Sequence, residues 1–241
     1  MLRHRQVLVS MKHLLITRFA LRFAEDNPRK RFETPGWIDY RLGLLKKYCV
    51  PSIFGQTCQD FDWYILVNRS FPGLTTNHIE TLSRFGKVLE VNAPWNECQP
   101  EIGELLASKY DKQWICSTRL DSDDMLSTTF IERLKQKVSE KEQWVSFEYG
   151  YIIKDGYAAL RKYNVNPFLS YVEYANPLKT VFHRAHNVAD RSSVPFNLIP
   201  EIGWAQVDHG DNIKNHSRSK VRNFDAVKVP VSELRSHFPC I

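Results

Sequence analysis

Short apolar runs rich in β-branched and aromatic residues alternate with helical patterns through the first half of the chain. This alternation predicts right-handed βαβ units and a mostly parallel sheet, because two parallel strands need a crossover between them. The expected strands are His13–Phe19, Trp63–Asn68, Lys87–Val91 and Trp114–Leu120. The expected helices are Ile38–Cys49, Thr76–Arg84, Glu101–Tyr110 and Thr128–Ser139, the last with Ser127 placed to cap it.

The pattern changes after residue 140. The aromatic run 144–153 leads into Lys154-Asp155-Gly156, which predicts a long strand and a hairpin turn. Residues 164–200 carry four prolines, so we expect loops around one strand, Thr180–His183, followed by a final helix or turn at Trp204–His216. The expected fold class is α/β: a Rossmann-like single domain with a mostly parallel central sheet, flanking helices and a small antiparallel C-terminal part.

The chain of 241 residues shows no internal repeat, low-complexity tract or flexible linker, so we expect residues 1–241 to form one domain. Its five cysteines are an odd number without a C-x-x-C pair, which favours free thiols and a cytoplasmic location. The basic and apolar N-terminus resembles a signal peptide, but charged residues interrupt each apolar stretch and no small-residue cleavage site follows. No stretch approaches the ~18 to 20 apolar residues of a spanning helix.

The net charge of +6 is unevenly distributed, with +7 on residues 1–50, −5 on residues 51–211 and +4 on residues 212–241. This indicates an anionic ligand or surface at one place and a cation at another, with basic ends that only aid solubility as the alternative. The cluster Arg29-Lys30-Arg31 leaves peripheral contact with an anionic membrane open. No nucleic-acid recognition motif is present and the acidic middle opposes such binding, so we expect no nucleic-acid partner.

The segment Arg119-Leu120-Asp121-Ser122-Asp123-Asp124 places three carboxylates within four positions, directly after an apolar strand. Such carboxylates repel one another unless a cation or several hydrogen bonds offset the charge. At the carboxyl end of a strand, where open α/β sheets bind ligands, two of them can reach one Mg²⁺ or Mn²⁺ ion. An acidic loop in which Asp124 or Ser127 only caps the next helix is the alternative. An EF-hand is excluded, because Leu126 stands where its loop needs glycine.

Further short motifs lie on both sides of this acidic segment in a fixed order. They are Ile16-Thr17-Arg18-Phe19, Pro51-Ser52 with Gln56-Thr57, Phe61-Asp62-Trp63, Phe130-Ile131, and Trp204, Gln206, His209, Gly210 and Asn212. With this order and spacing, the chain resembles the GT-A glycosyltransferases grouped as rhamnosyltransferases, from about residue 13 to residue 216. The resemblance implies a GT-A fold with a nucleotide-sugar-binding half at about 11–126 and an acceptor-side half at about 127–241. The motifs indicate the fold much more specifically than they indicate which sugar is transferred.

The resemblance also implies a metal-assisted donor site. Asp121 and Asp123 would face the donor nucleotide and its Mn²⁺ or Mg²⁺ ion, with Asp123 as the direct ligand. Asp124 would be a further ligand or an orienting group, and His209 from the C-terminal part would complete the metal sphere. A hydrogen-bonded structural role is the alternative for a lone histidine.

The nucleotide of the donor would lie at the carboxyl ends of the first strands. Thr17 and Arg18 are where such a fold holds the base or the phosphates, and an arginine can pair bidentately with a phosphate. An ordinary surface role is the alternative for Arg18. Many relatives carry an acidic residue after the second strand, whereas this chain has Asn68, whose amide can still bond to base or ribose. Arg119 and Asn212 complete the cofactor-binding candidates.

The resulting hypothesis is transfer of a hexose, rhamnose by the family label, from a nucleoside-diphosphate sugar to the hydroxyl of a glycan or another acceptor. An inverting enzyme needs a carboxylate base against that hydroxyl. Asp208 is preferred because it adjoins His209; the other candidates are Glu148, Glu173 and Glu201. Inversion or retention and the oligomeric state stay open. A non-catalytic nucleotide- or glycan-binding protein that keeps the fold is the alternative.

Overall fold

The structure, a computed structural model, describes residues 11–24, 27, 33–95, 97–209, 228–239 and 241, without the side chains of residues 186–188. The elements up to the acidic segment are β1 (Lys12–Ala20), α1 (Pro35–Leu44), α2 (Val50–Phe54), β2 (Asp62–Val67), α3 (Thr76–Ser83), β3 (Lys87–Glu90), α4 (Gln99–Tyr110) and β4 (Trp114–Asp121). Those beyond it are β5 (Met125–Leu126), α5 (Phe130–Lys137), β6 (Gln143–Lys154), β7 (Tyr157–Lys162), β8 (Ser170–Tyr174), β9 (Phe196–Val207) and β10 (Lys228–Pro230). None of the described helices has the length and apolar character needed to cross a membrane.

Four parallel strands form one half of the sheet, in the order β3-β2-β1-β4. Side chains of β1 alternate between two apolar clusters: Leu15 belongs to the cluster that α1 and α2 join, whereas Leu14 and Ile16 belong to the cluster around α4. Because helices cover both faces, β1 reads as a continuous apolar run and not as an alternating one. The expected parallel strands and the helices between them are confirmed, with small differences at their ends.

The other half of the sheet is largely antiparallel and larger than expected. β8 pairs antiparallel with β4 and β6, β7 pairs antiparallel with β6, and β9 runs parallel to β6 and antiparallel to β5. The expected β6–β7 hairpin turns at Asp155 and Gly156, whose φ angles of 50° and 80° suit a two-residue hairpin turn. The expected α/β fold is therefore confirmed, with a mixed sheet.

Two assignments in the C-terminal part are wrong. Residues Val181–His183 form a 3₁₀ turn, not a strand, because Thr180 takes a φ of 58° that interrupts extended backbone. The strand of this region is β8, earlier in the chain. Residues 204–207 end β9 and are not helical, because they continue its pairing with β6. The part of the expected final helix beyond residue 209 lies outside the described residues.

Two details of the helices also differ from expectation. The helix expected at Ile38–Cys49 begins earlier, at Pro35, and continues through a π-helical turn, Leu45–Cys49, into α2. Proline suits the first turn of a helix because its missing N–H would have no partner there. Ser127 does not cap α5: Thr129 occupies the N-cap position, and the buried hydroxyl of Ser127 has no hydrogen-bond partner.

Residues that follow the π-helical turn form hydrogen bonds with the backbone of β5 and of the segment after it. Gln56 donates its amide to the carbonyl of Ser127 at 2.7 Å, and its Oε1 accepts the N–H of Ile131 at 3.1 Å. The N–H of Leu126 contacts Ser52 Oγ at 3.4 Å. These contacts give two motif residues of the sequence analysis a structural role, because they fix β5 and the start of α5 against α2.

The indole of Trp204 joins β9 to β6. It is fully buried, stacks on Phe168 with a ring-centroid distance of 5.2 Å, and donates its Nε1–H to the carbonyl of Phe147 at 3.1 Å. Gly150 lies directly beneath it, where a Cβ atom would meet the indole at 2.1 Å. This close approach aligns β9 along β6, and the end of β9 leads to His209 beside the acidic segment.

Candidate active site

The acidic segment forms a tight turn at the carboxyl edge of the parallel strands. β4 ends at Asp121, and the N–H of Asp124 donates to the carbonyl of Asp121 at 3.2 Å. On one side, β1 brings Arg18 into register with Asp121. On the other side, β5 pairs with β9, whose end leads to His209. The turn therefore lies between the ends of β1 and β9, at the edge where α/β sheets bind ligands.

Asp123 forms a buried ion pair with Arg41. The Nη1 of Arg41 donates to Asp123 Oδ2 at 2.6 Å and its Nη2 to Oδ1 at 3.0 Å, while the same Nη2 donates to Ser122 Oγ at 2.5 Å. Arg41 and Asp123 expose only 5% and 6% of their surface. Burial raises the pKa of Asp123, but the Arg41 charge and the hydrogen bonds from His209 and Arg41 outweigh burial and lower that pKa.

His209 contacts Asp123 from the C-terminal part of the chain. Its Nε2 lies 2.9 Å from Asp123 Oδ2, and its Nδ1 lies 2.7 Å from Tyr40 Oη. The structure thus brings together two residues that the sequence analysis placed in one metal sphere, although 86 positions separate them. Tyr40 fixes the orientation of the imidazole ring, as partners of histidine ligands do in metal sites.

Tyr40 and Arg41 are site residues that the sequence analysis did not single out. Both lie on α1, where Arg41 is buried next to the core positions Ile38, Leu42 and Leu45. The sequence did contain one signal for Arg41, namely an arginine among the apolar positions of a helix. A buried guanidinium requires an anionic partner, so such an arginine indicates an ion pair. The sequence does not indicate which anion that is.

Asp121 and Asp124 have different partners. The Nη2 of Arg119 donates to Asp121 Oδ2 at 2.7 Å, and the Nη2 of Arg18 donates to Oδ1 at 3.4 Å. Burial raises the pKa of Asp121, but these two guanidiniums outweigh burial and hold that pKa below its usual range. Asp124 Oδ1 accepts the N–H of Val207 at 2.9 Å, which ties the turn to the end of β9. Burial, and then the neighbouring carboxylates, raise the pKa of Asp124.

Arg18 is a buried cation with unused hydrogen-bond donors. Its Cζ lies 3.5 Å from the ring centroid of Trp95 and 4.9 Å from that of Phe182. Within the described part of the chain, its hydrogen bond is the long contact to Asp121, and its Nε has no partner. Burial, and then the charge of Arg119, lower the pKa of Arg18 to about 9. A guanidinium in these surroundings is suited to bind an anion.

The side chains of Thr17 and Asn68 make contacts within the fold. Thr17 is fully buried, and its Oγ1 accepts the ring N–H of a tryptophan on β2 at 2.9 Å. Asn68 donates to the carbonyl of Asn92 at 3.0 Å and accepts the N–H of Ser70 at 2.9 Å. The two side chains therefore shape the ends of β1 and β2. Asn212 lies outside the described residues.

The four candidate bases differ in their surroundings. Asp208 lies 3.3 Å from a lysine of β6, Glu148 lies 2.7 Å from a lysine of β7, and Glu201 lies 3.5 Å from an arginine of α5. Glu173 is buried and accepts two backbone N–H groups of the following turn, and burial raises its pKa to about 7. Asp208 directly precedes His209 in the chain, and its N–H donates to the carbonyl of Ile153 on β6 at 2.8 Å.

Asp123 and His209 are spaced as a hydrogen-bonded pair, and the same spacing would suit two ligands of one divalent ion. Two ligand atoms that each lie ~2.1 Å from an ion and meet it at a right angle are ~3.0 Å apart, and Asp123 Oδ2 and His209 Nε2 lie 2.9 Å apart. Asp123 and His209 would be the residues that hold such an ion, and substrate phosphates and water would supply its remaining ligands. Across the described residues, no group of three or more His, Cys, Asp or Glu side chains is arranged to hold a metal. Asp121 and Asp124 have the other partners given above.

Fold and site together define an α/β domain with a mixed sheet, in which an acidic turn follows the fourth parallel strand at the carboxyl edge of the sheet. The chain belongs to the family described as "Putative rhamnosyl transferase", which it matches over residues 13–222. Membership of a glycosyltransferase family, as the sequence motifs indicated, is confirmed.

Solved structures with similar folds are distant in sequence. S. aureus TarS 1–349 in complex with UDP is 10% identical, with a TM-score of 0.48, over 82% of this chain and 61% of that chain. A longer S. aureus TarS structure is 11% identical, with a TM-score of 0.48, over 82% of this chain and 37% of that one. The inositol-1-phosphate CTP transferase from T. maritima is 10% identical, with a TM-score of 0.37, over 88% and 95% of the two chains. This chain thus spans less than two thirds of the TarS chains, and no curated protein matches it.

Proposed function

We propose that this chain transfers a sugar, rhamnose first among the candidates, from a nucleoside-diphosphate sugar to the hydroxyl of a glycan or another acceptor. The observation that carries the proposal is the state of Arg18. Its guanidinium is 7% exposed, has unused donors, and lies at the carboxyl edge of β1 in contact with Asp121. A cation of this kind beside an acidic turn suits a diphosphate and its counter-ion.

Arg18 and Arg119 would bind the diphosphate of the donor. Asp121 orients both guanidiniums, since Arg18 donates to its Oδ1 and Arg119 donates to both of its oxygens. The diphosphate gains negative charge as the glycosidic bond breaks, and preoriented cations at that position stabilise the leaving group. Contacts of Thr17, Asn68 and Asn212 with the nucleoside stay predictions.

Asp123 and His209 would hold a Mn²⁺ or Mg²⁺ ion, which when bound supplies a Lewis acid for the diphosphate oxygens. Asp124 is proposed as an orienting group and not as a ligand, because its bond to Val207 N–H fixes the end of β9 relative to the turn. Tyr40 orients the imidazole of His209. Direct ligation by Asp121 stays a prediction of the sequence analysis, and its two arginine partners argue against it.

Asp208 is the proposed base, which would accept the proton of the acceptor hydroxyl as the new glycosidic bond forms. It adjoins His209 and exposes 18% of its side chain, so an acceptor can reach it from solvent. This role corresponds to an inverting mechanism. Glu148, paired with Lys162, is the second choice.

Thermal melting with UDP, GDP and dTDP, each with and without Mn²⁺, tests the donor site, because a ligand that binds only the native state raises the melting temperature. Stabilisation by one of them supports the proposal, and the absence of any effect contradicts it.

Product analysis then separates an enzyme from a protein that only binds nucleotide. Asp123→Asn should lose sugar transfer, whereas Glu90→Gln, at an exposed surface pair with Arg69, should keep it. Full transfer by Asp123→Asn would show that the role given to Asp123 is wrong.

A cytoplasmic location and peripheral contact with a membrane stay predictions. The cluster Arg29-Lys30-Arg31, on which the membrane contact depends, lies outside the described residues. Co-sedimentation with vesicles that contain anionic lipid, compared with neutral vesicles, tests the contact, because attraction to basic side chains requires negative lipid charge.

A further inference from the structure

We propose that Arg41 makes uptake of the divalent ion depend on the diphosphate. Arg41 neutralises Asp123 while no diphosphate is bound, so the ion binds well only together with the nucleoside diphosphate. The inference rests on the proposed function, because it concerns the order in which the same site is filled. Arg41 acts through Asp123 and is therefore a positioning residue.

Both carboxylate oxygens of Asp123 are already engaged. Arg41 donates to Oδ2 at 2.6 Å and to Oδ1 at 3.0 Å, and Oδ2 is also the oxygen that faces His209. An ion at Oδ2 would lie close to a full positive charge. The side chains of Arg41 and Asp123 are 6% and 9% exposed, so little water screens this repulsion.

The formal charges of the acidic turn already balance among the described residues. By formal charge, its three aspartates are offset by three guanidiniums within the described part of the chain, those of Arg18, Arg41 and Arg119. Among the residues that the structure describes, the formal charges of the turn therefore leave no excess negative charge with which to attract a divalent ion. A nucleoside diphosphate brings negative charge of its own, and the unused donors of Arg18 suit that anion.

Arg41 need not leave the site when the ion binds. It keeps the bond to Asp123 Oδ1 and the bond from Nη2 to Ser122 Oγ, and it gives up only the bond to Oδ2. The remaining bonds hold the Asp123 carboxylate in one orientation with Oδ2 toward His209. The same arginine thus weakens binding of the free ion and orients the carboxylate for the bound one.

The order of binding can be measured on the wild-type protein. Titration calorimetry follows the nucleoside diphosphate that stabilises the protein best among UDP, GDP and dTDP, without metal. Electron paramagnetic resonance of free Mn²⁺ follows metal uptake, corrected for the Mn²⁺ complex of the nucleotide. We expect the diphosphate to bind without Mn²⁺, and Mn²⁺ to bind at least ~10-fold more tightly with the diphosphate than alone. Equal Mn²⁺ affinity in both conditions would overturn the inference.

Two variants and a control identify Arg41 as the cause. Arg41→Gln should raise the affinity for Mn²⁺ alone by ~10-fold or more, because it removes the competing charge, whereas Arg41→Lys keeps a charge and should keep the dependence on diphosphate. Arg133→Gln removes an equal charge at the surface, where Arg133 lies 3.5 Å from Glu201, and should leave Mn²⁺ uptake unchanged. Equal Mn²⁺ affinities of folded Arg41→Gln and Arg133→Gln would refute the role of Arg41. If Arg41→Gln does not fold, the wild-type titrations decide. A protein that binds none of the diphosphates under any condition would contradict the proposed function itself.

Discussion

Gly150→Ala places a methyl group against the indole of Trp204. The new Cβ atom would lie 2.1, 2.3 and 2.4 Å from Cδ2, Cε2 and Cε3 of the ring, whereas carbon atoms in contact lie ~3.5 to 4.0 Å apart. The indole cannot retreat, because it is fully buried, stacks on Phe168 at 5.2 Å and donates to the Phe147 carbonyl at 3.1 Å. The backbones of β6 and β9 must therefore separate.

The size of the effect follows from these contacts. Overpacking a buried position costs ~1 to 3 kcal/mol, and a weakened indole hydrogen bond adds ~1 kcal/mol. Replacing glycine by alanine within a strand offsets ~0.5 to 1 kcal/mol of this. We expect a net loss of ~1 to 3.5 kcal/mol in the free energy of unfolding. For a chain of this size, that corresponds to a melting temperature lower by ~2 to 14 °C.

Circular dichroism melting of Gly150→Ala beside Gly43→Ala measures this difference. Gly43 lies on α1, where an added Cβ meets no atom within 4 Å. Alanine there should raise stability by up to ~1 kcal/mol through its higher helix propensity. A melting temperature of Gly150→Ala equal to or above that of the wild type would refute the close packing of β6 on β9. A loss shared equally by both variants would show that the indole is not the cause.

Three further predictions concern the site and the pH dependence of stability. Arg18→Gln should weaken nucleoside-diphosphate binding by at least ~10-fold in calorimetry, because it removes the cation proposed for the phosphates. The control Arg133→Gln should bind the diphosphate as the wild type does. Equal affinities of the two variants would exclude the role of Arg18. Asp208→Asn should lower kcat by ~10²- to 10⁴-fold with unchanged nucleotide affinity, while Glu148→Gln should stay active; the reverse result would assign the base to Glu148. Because burial raises the pKa of Glu173 from 4.5 to about 7, its carboxyl favours the folded state below pH ~4.5, and this contribution is lost as the pH rises to ~7. The loss is on the order of 3 kcal/mol. The free energy of urea unfolding should therefore differ less between pH 5 and pH 8 for Glu173→Gln than for the wild type. An equal difference in both proteins would contradict the role given to Glu173.

The parallel half of the sheet was predictable because its signals are local. Strands such as β1 are buried on both faces, so each is a short continuous apolar run with a helical pattern on either side. β8 and β9 carry no such signal. Glu173 interrupts β8 and is tolerated only because two backbone N–H groups of the next turn bond to it. Pro200 and Gly203 make β9 read as a loop, and its pairing with the distant β6 makes it a strand.

The candidate site was predictable to the same limited extent. The acidic turn could be found because its three carboxylates are adjacent in the chain, and His209 because the family resemblance pointed to it. The meeting of Arg41 with Asp123 and of Tyr40 with His209 could not be found, since 82 and 169 positions separate these partners. Sequence reasoning therefore singled out the negative charge and missed the guanidinium of α1 that offsets it.

Because of the π-helical turn Leu45–Cys49, the orientation of α2 depends more on the number of residues in this turn than on which residues they are. Each residue of a helix advances it by about 100°, and single-turn π segments hold an extra residue relative to a continuous α-helix. Deleting one codon here would rotate α2 about its axis and swing Ser52 and Gln56 away from the backbone behind β5. Substitutions of the exposed Lys46 and Lys47 leave that phase unchanged. Homologues should accordingly vary in the side chains of this turn while keeping its residue count.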